Sequence, residues 1–146
     1  MVDWKRVMID ELRNYRLWQN SLDATNERAR EIENMMQSPM GGSYDKTPVM
    51  GGASTLEDRW LNGIAEVWLL REAHSATEQR VKQIEQALSL LTDEERLVLE
   101  LFYIDRPSRH IDELRERLCV EKSQVYRIEE RALRRFTHAM IGQIET

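Results

Sequence analysis

The sequence predicts an all-α protein, on three observations. Glu, Arg, Leu and Ala, the strong helix formers, are frequent, while runs of β-branched and aromatic residues long enough for strands are scarce. Most of the Gly and Pro residues fall in one stretch, Gln37 to Ala53. On either side of it, apolar residues recur at steps of three and four, the period of a helix face. A chain of 146 residues has room for one ordinary domain or a small domain with a helical extension, and two large domains are excluded.

The first helix is expected from about Asp3 to Met36. Its seam of Tyr15, Trp18, Leu22, Thr25, Ala29, Ile32 and Met36 has heptad-like spacing. Such a seam serves an intramolecular helical hairpin and a homo-oligomer equally well. From Gln37 to Ala53 the period is broken by Ser38-Pro39, Gly41-Gly42, Pro48 and Gly51-Gly52, which predicts a loop. Gly41-Gly42-Ser43 is not a phosphate-binding loop, because no strand precedes it and no Gly-Lys-Ser/Thr follows.

Ser54-Thr55-Leu56-Glu57 has the form of a capping box and starts a second long helix. Trp60, Ile64 and Val67 open its apolar stripe, and Thr77, Val81, Ile84, Leu88 and Leu91 close it. Arg71 and His74 dilute the middle, which predicts a frayed or partner-facing segment. A second capping box, Thr92-Asp93-Glu94-Glu95, begins a short helix that buries Leu97, Val98, Leu101 and Phe102 and ends near Ile104. Asp105-Arg106-Pro107-Ser108 forms a turn, since proline disfavours helix at the preceding residue and Ser108 can cap the next helix. That helix runs from Arg109 to Leu118, and after it come a tight turn over Cys119 to Glu121 and a last helix from Lys122 to about Ile141. The order is helix, turn, recognition helix.

In that last helix Val125, Ile128, Ala132 and Phe136 share one face and pack inward. The opposite face carries Ser123, Arg127, Glu130, Arg131 and Arg134, with Gln124 and Arg135 at one edge and Tyr126 at the other. From Arg106 to Arg135 nine Lys and Arg residues face six acids, a local excess of +3 in a chain of net charge −5. The local excess can track phosphates, and the acidic remainder limits indiscriminate binding. The predicted partner is therefore double-stranded DNA.

Lys122, Ser123, Gln124, Tyr126 and Arg127 occupy the first turns, which enter the major groove in a helix-turn-helix. The Arg127 fork can pair bidentately with guanine, and Lys122 and Ser123 lie where backbone donors and the helix dipole favour phosphate. Gln124 and Tyr126 either read a base edge or a thymine methyl, or pack on neighbouring helices. Arg131, Arg134 and Arg135 lie farther along and are assigned to the DNA backbone, as are Arg106, Arg109 and His110. Their competing role is helical ion pairing, for example Glu130 with Arg134.

Other classes find little support in the residues. Cys119 is the only cysteine, so no intramolecular disulfide forms and no cysteine-rich zinc site exists. It is expected to be a packed small residue. His74, His110 and His138 are isolated, with no His-Glu-x-x-His, so neither an enzyme nor a cofactor or metal site is expected. The chain turns amphipathic from Met1-Val2-Asp3-Trp4-Lys5-Arg6 onward, and no run approaches eighteen apolar residues. The expected location is cytoplasmic, without a membrane partner. Trp4, Trp18, Trp60 and Trp68 are expected to anchor the helical part or an oligomer seam.

Leu91 to Met140 resembles the fourth region of bacterial sigma factors and its phage relatives. The matching pieces are Leu91 to Leu99 with Tyr103, Leu118 to Val125, Ile128-Glu129 and Ala132 to Phe136. In layout the whole chain is similar to phage transcriptional regulators of the ArpU and RinA type. The resemblance implies a long N-terminal helical hairpin, residues 1–91, serving oligomerisation or RNA polymerase contact. It also implies a DNA-binding sigma region 4-like helix-turn-helix over residues 92–146. The implied role is activation of late genes of a phage, prophage or related mobile element.

Two positions depart from the family pattern. Arg115 stands where a small residue is usual inside the first helix of the motif, and Cys119 where glycine is usual at the turn. In the sigma-like alignment Lys122 falls on a basic base-reading position, whereas Ser123 and Arg127 replace other residue types, so the preferred DNA sequence should differ. Two other readings compete: a small terminase-like subunit that recognises DNA for packaging, and a protein adaptor that uses the sigma-like fold without DNA.

Overall fold

The computed structural model describes residues 1–37 and 56–142. The loop predicted through Ala53, with its Gly41-Gly42-Ser43 run, and the predicted cap at Ser54 lie outside the described residues. Among those described, all regular structure is helical: α1 (Trp4–Gln37), α2 (Leu56–Ser89), α3 (Asp93–Leu99), a π-helical turn (Glu100–Ile104), α4 (His110–Leu118) and α5 (Lys122–Ile141). No helix among them is long and apolar enough to cross a membrane.

The chain forms two compact units. One consists of Met1–Gln19 with Gln79–Thr146, the other of Asn20–Glu78. The boundary predicted at residue 91 falls inside the first unit, at the turn between α2 and α3.

In the 20–78 unit α1 and α2 run antiparallel, as the order of their contacts requires. Thr25 Oγ1 lies 3.1 Å from His74 Nδ1. Arg71 donates to Asn26 Oδ1 at 3.0 Å and to Glu33 Oε1 at 2.6 Å. Gly63 sits so close to α1 that an added Cβ would stand 2.8 Å from Met36 Sδ and 3.7 Å from Ile32 Cγ2. The seam predicted for α1 holds in this unit: Ala29 and Ile32 are buried, and Leu22, Thr25 and Met36 are half-buried.

α2 differs from expectation in two respects. Arg71 and His74 do not mark a frayed middle, because the helix is continuous and both side chains engage α1. The stripe does not open on Trp60 and Ile64, both of which are exposed. Gly63, Val67, Leu70, His74 and Thr77 are half-buried, at an alternation of four and three that faces α1. Trp60 and Ile64 are offset from that line, so choosing them for their size gave the wrong face.

In the other unit the α1 seam extends back through Leu12 to Met8, which are buried with Tyr15, while Val81, Ile84, Ala87, Leu88 and Leu91 are buried from α2 and the turn after it. Beside them Arg80 Nε donates to Glu11 Oε2 at 2.8 Å, and the pair's second contact joins Nη2 to Oε1.

Arg96 ties α3 to the end of α2. Its guanidinium donates to the carbonyl of Leu88, which also accepts from Leu91 N–H, at 3.2 Å and to that of Leu91, in the turn after α2, at 3.3 Å. The capping box is formed in full. Thr92 N–H donates to Glu95 Oε1 at 3.0 Å, and Glu95 N–H donates to Thr92 Oγ1 at 3.2 Å.

Candidate nucleic-acid interface

α5 is positioned by an apolar core that its own sequence pattern creates. Val125 and Ile128 pack with Val98, Leu101, Phe102 and Leu114, and Leu97, Tyr103, Ile111, Leu118 and Val120 close over them. Ala132, Leu133 and Phe136 are buried farther along. The inward face predicted for this helix is therefore the inward face observed.

The turn between α4 and α5 meets its geometry with an unusual residue. Cys119 is left-handed, φ 56° and ψ 45°, and its N–H and that of Val120 both bond the Arg115 carbonyl, the latter at 3.2 Å. This is the bonding that ends many helices with glycine, and an L-residue adopts it at a cost. The side chain is exposed, so the expectation of a packed small residue is not met: the position selects backbone conformation. Arg115 does not crowd the helix pair. It is exposed, 4.0 Å from Asp112, and Leu114 beside it is the residue that α4 buries.

Ser108 does not cap α4. The N-cap is Arg109, without a side-chain hydrogen bond, and the helix begins at His110. The His110 ring meets Phe102 edge-on at 4.8 Å between centroids, and Phe102 in turn meets Tyr126 at 6.0 Å. Burial, followed by the charge of Arg106, lowers the His110 pKa from its ordinary 6.5. A neutral ring is what an aromatic contact at a helix N-terminus favours.

The predicted contact residues divide along α5. Lys122, Ser123, Tyr126 and Arg127 are exposed in its first two turns, and Gln124 is half-buried. Neither Lys122 nor Arg127 has an ion pair among the described residues. Of the two roles the sequence left open for Tyr126, packing is the one observed: its ring meets Phe102, and 45% of the residue stays exposed. Glu121, the N-cap, makes no side-chain cap, and the first helical bonds come from Gln124 and Val125 N–H to the Glu121 carbonyl. The N–H groups of Lys122 and Ser123 therefore belong to the set that a helix start leaves for an anion or water.

The later arginines have partners. Arg131 Nε donates to Glu95 Oε2 at 3.2 Å, and Arg135 Nη1 to Glu95 Oε1 at 3.0 Å. Glu95 is fully buried, so two guanidinium groups and the α3 cap converge on one carboxylate. Burial by itself would raise the Glu95 pKa; the bonds from Thr92 and Arg131 and the charge of Arg135 overcome it and hold the acid below its ordinary value. Sequence reasoning recognised Glu95 as a cap and missed it as an anchor. The available signal was the spacing of Arg131 and Arg135, one helical turn apart, with Arg135 at the edge of the outward face.

Arg134 Nη2 lies 3.8 Å from Glu130 Oε1, the i,i+4 pairing expected as its competing role. Leu133, Arg134, Thr137 and His138 also line a groove whose other wall is Met1 to Lys5. Behind α5, the Tyr103 hydroxyl donates to the buried Glu129 carboxylate. Burial, then that hydrogen bond and charge, push the Tyr103 pKa far above its ordinary 10.

No three His, Cys, Asp or Glu side chains among the described residues are grouped to hold a metal ion. Comparisons with protein-family models, with characterised proteins and with solved structures find no match to this chain.

Proposed function

We propose that the chain is a sequence-specific DNA-binding transcriptional regulator whose α3–α5 region acts as a sigma region 4-like helix-turn-helix. On the resemblance of its sequence to ArpU and RinA type regulators, its role is to activate late genes of a phage, prophage or related mobile element. One observation carries the DNA reading: Lys122, Ser123, Tyr126 and Arg127 stand exposed on the first two turns of a helix fixed from behind, and neither cation has an ion-pair partner among the described residues. A cation exposed on a rigid element is ready to pair with phosphate or a guanine edge, because no internal bond has to break first.

In this reading Arg127 reads a base, and Lys122 with the first α5 amide groups holds a phosphate. Arg131 and Arg135 support the helix through Glu95 and lie a turn or more beyond the reading end. The test is selection of bound fragments from a genomic DNA pool at near-physiological salt, with the wild type and with Arg127→Ala. An enriched motif that the variant loses supports the proposal. Enrichment unchanged by the variant removes Arg127 from base reading, and no enrichment at any salt favours a protein adaptor. A ring-shaped assembly would favour the packaging subunit.

A further inference from the structure

We propose that the outer face of α2, centred on Trp60, Ile64 and Trp68, docks a second copy of this chain, antiparallel, across a twofold axis at Ile64. Trp60, Ile64 and Trp68 follow one another at steps of four, and Leu61 lies beside them on the same face. All four are exposed, Trp60 by 51% and Trp68 by 61%. The seam of α2 that faces α1 is a different line, marked by Gly63 against Met36 and His74 against Thr25. The first turns of α2 are thus apolar on two faces, and α1 covers one.

The exposed area suits a second copy. Together the four side chains expose on the order of 500 Å², at the upper end of the largest apolar patch on an ordinary monomer and more than half of the roughly 800 Å² per partner of a standard interface. The pattern is also self-complementary about Ile64, as a twofold interface requires. Antiparallel pairing there sets Trp60 against the second copy's Trp68 and Ile64 against itself. It also brings Glu57 towards the second copy's Arg71, whose guanidinium already bonds Asn26 and Glu33 of its own α1, so this contact adds little beside the apolar one. A different protein would not need that symmetry.

The full chain should sediment as a dimer at tens of micromolar without DNA, so the outcome is independent of the DNA reading. Trp60→Glu with Trp68→Glu should raise the dimer dissociation constant by at least about thirtyfold, with helical content unchanged. In a Cys119→Ser background, Ile64→Cys should be joined to its copy by a short bismaleimide. Glu57→Cys alone should not, because its two copies lie on opposite sides of the axis. A monomer at about 100 μM would overturn the proposal and leave the face to another protein. A dimer indifferent to the double substitution, or one in which Glu57→Cys cross-links as readily as Ile64→Cys, would overturn it too.

Discussion

Glu95 is where one substitution should be felt by three elements. The carboxylate is fully buried and accepts from the Thr92 backbone, from Arg131 and from Arg135, so it joins the start of α3 to the second half of α5. Loss of the cap costs about 1 kcal/mol. Breaking a buried ion pair costs about 3–5 kcal/mol, but the arginine side chains here are 51% and 49% exposed and can turn to water. Glu95→Ala should therefore destabilise by about 2–4 kcal/mol. Glu95→Gln, which keeps the size and an acceptor for Thr92, should cost about 1–2 kcal/mol.

Urea denaturation followed by circular dichroism measures both. The pH dependence gives a second check. Because the folded-state pKa of Glu95 is lowered from 4.5, its contribution is complete above that value and is lost as pH falls through the depressed one. The difference between wild type and Glu95→Gln should stay constant from neutral pH to about 5 and close in stronger acid. A Glu95→Ala cost below about 0.5 kcal/mol, or a difference that does not change with acid, would refute the anchoring role.

Cys119→Gly should stabilise the chain, since the left-handed conformation costs an L-residue about 1–2 kcal/mol and glycine returns part of that through the freedom of its unfolded chain. A rise in Tm of about 1–3 °C is expected, and Cys119→Val should lower it. Tyr103→Phe removes the hydroxyl bonded to the buried Glu129 carboxylate and should cost about 1–3 kcal/mol by the same denaturation assay. An unchanged midpoint would mean that water serves Glu129 equally well.

Helix class and order were legible in the sequence because they depend on local pattern. The 92–95 capping box, the inward face of α5 and the turn before it are written in consecutive residues. Pattern also fixed where α5 starts and stops. It misled at α2, where large apolar side chains occur on two faces and size alone does not say which one α1 covers. It was silent on Glu95, whose partners lie thirty-six and forty residues away. The candidate site was legible to the same extent: Arg127 stands exposed as the period requires and Lys122 as its place at the helix start allows, while the duties of Arg131 and Arg135 depend on α3, which no period in α5 reports.

That difference separates two kinds of cation on one helix, and salt can tell them apart. Each phosphate contact given up reduces the slope of log affinity against log salt by roughly 0.9 for duplex DNA. Lys122→Ala should therefore flatten the slope by about 1 with little change in stability, because its side chain has no ion pair among the described residues. Arg131→Ala and Arg135→Ala should do the reverse, lowering the denaturation midpoint through Glu95 and leaving the slope near the wild-type value. A helix uniformly devoted to DNA would give equal slope changes for all three. Equal slopes would mean that Arg131 and Arg135 leave Glu95 when DNA binds, and Glu95→Gln, which frees them beforehand, should then bind more tightly than the wild type.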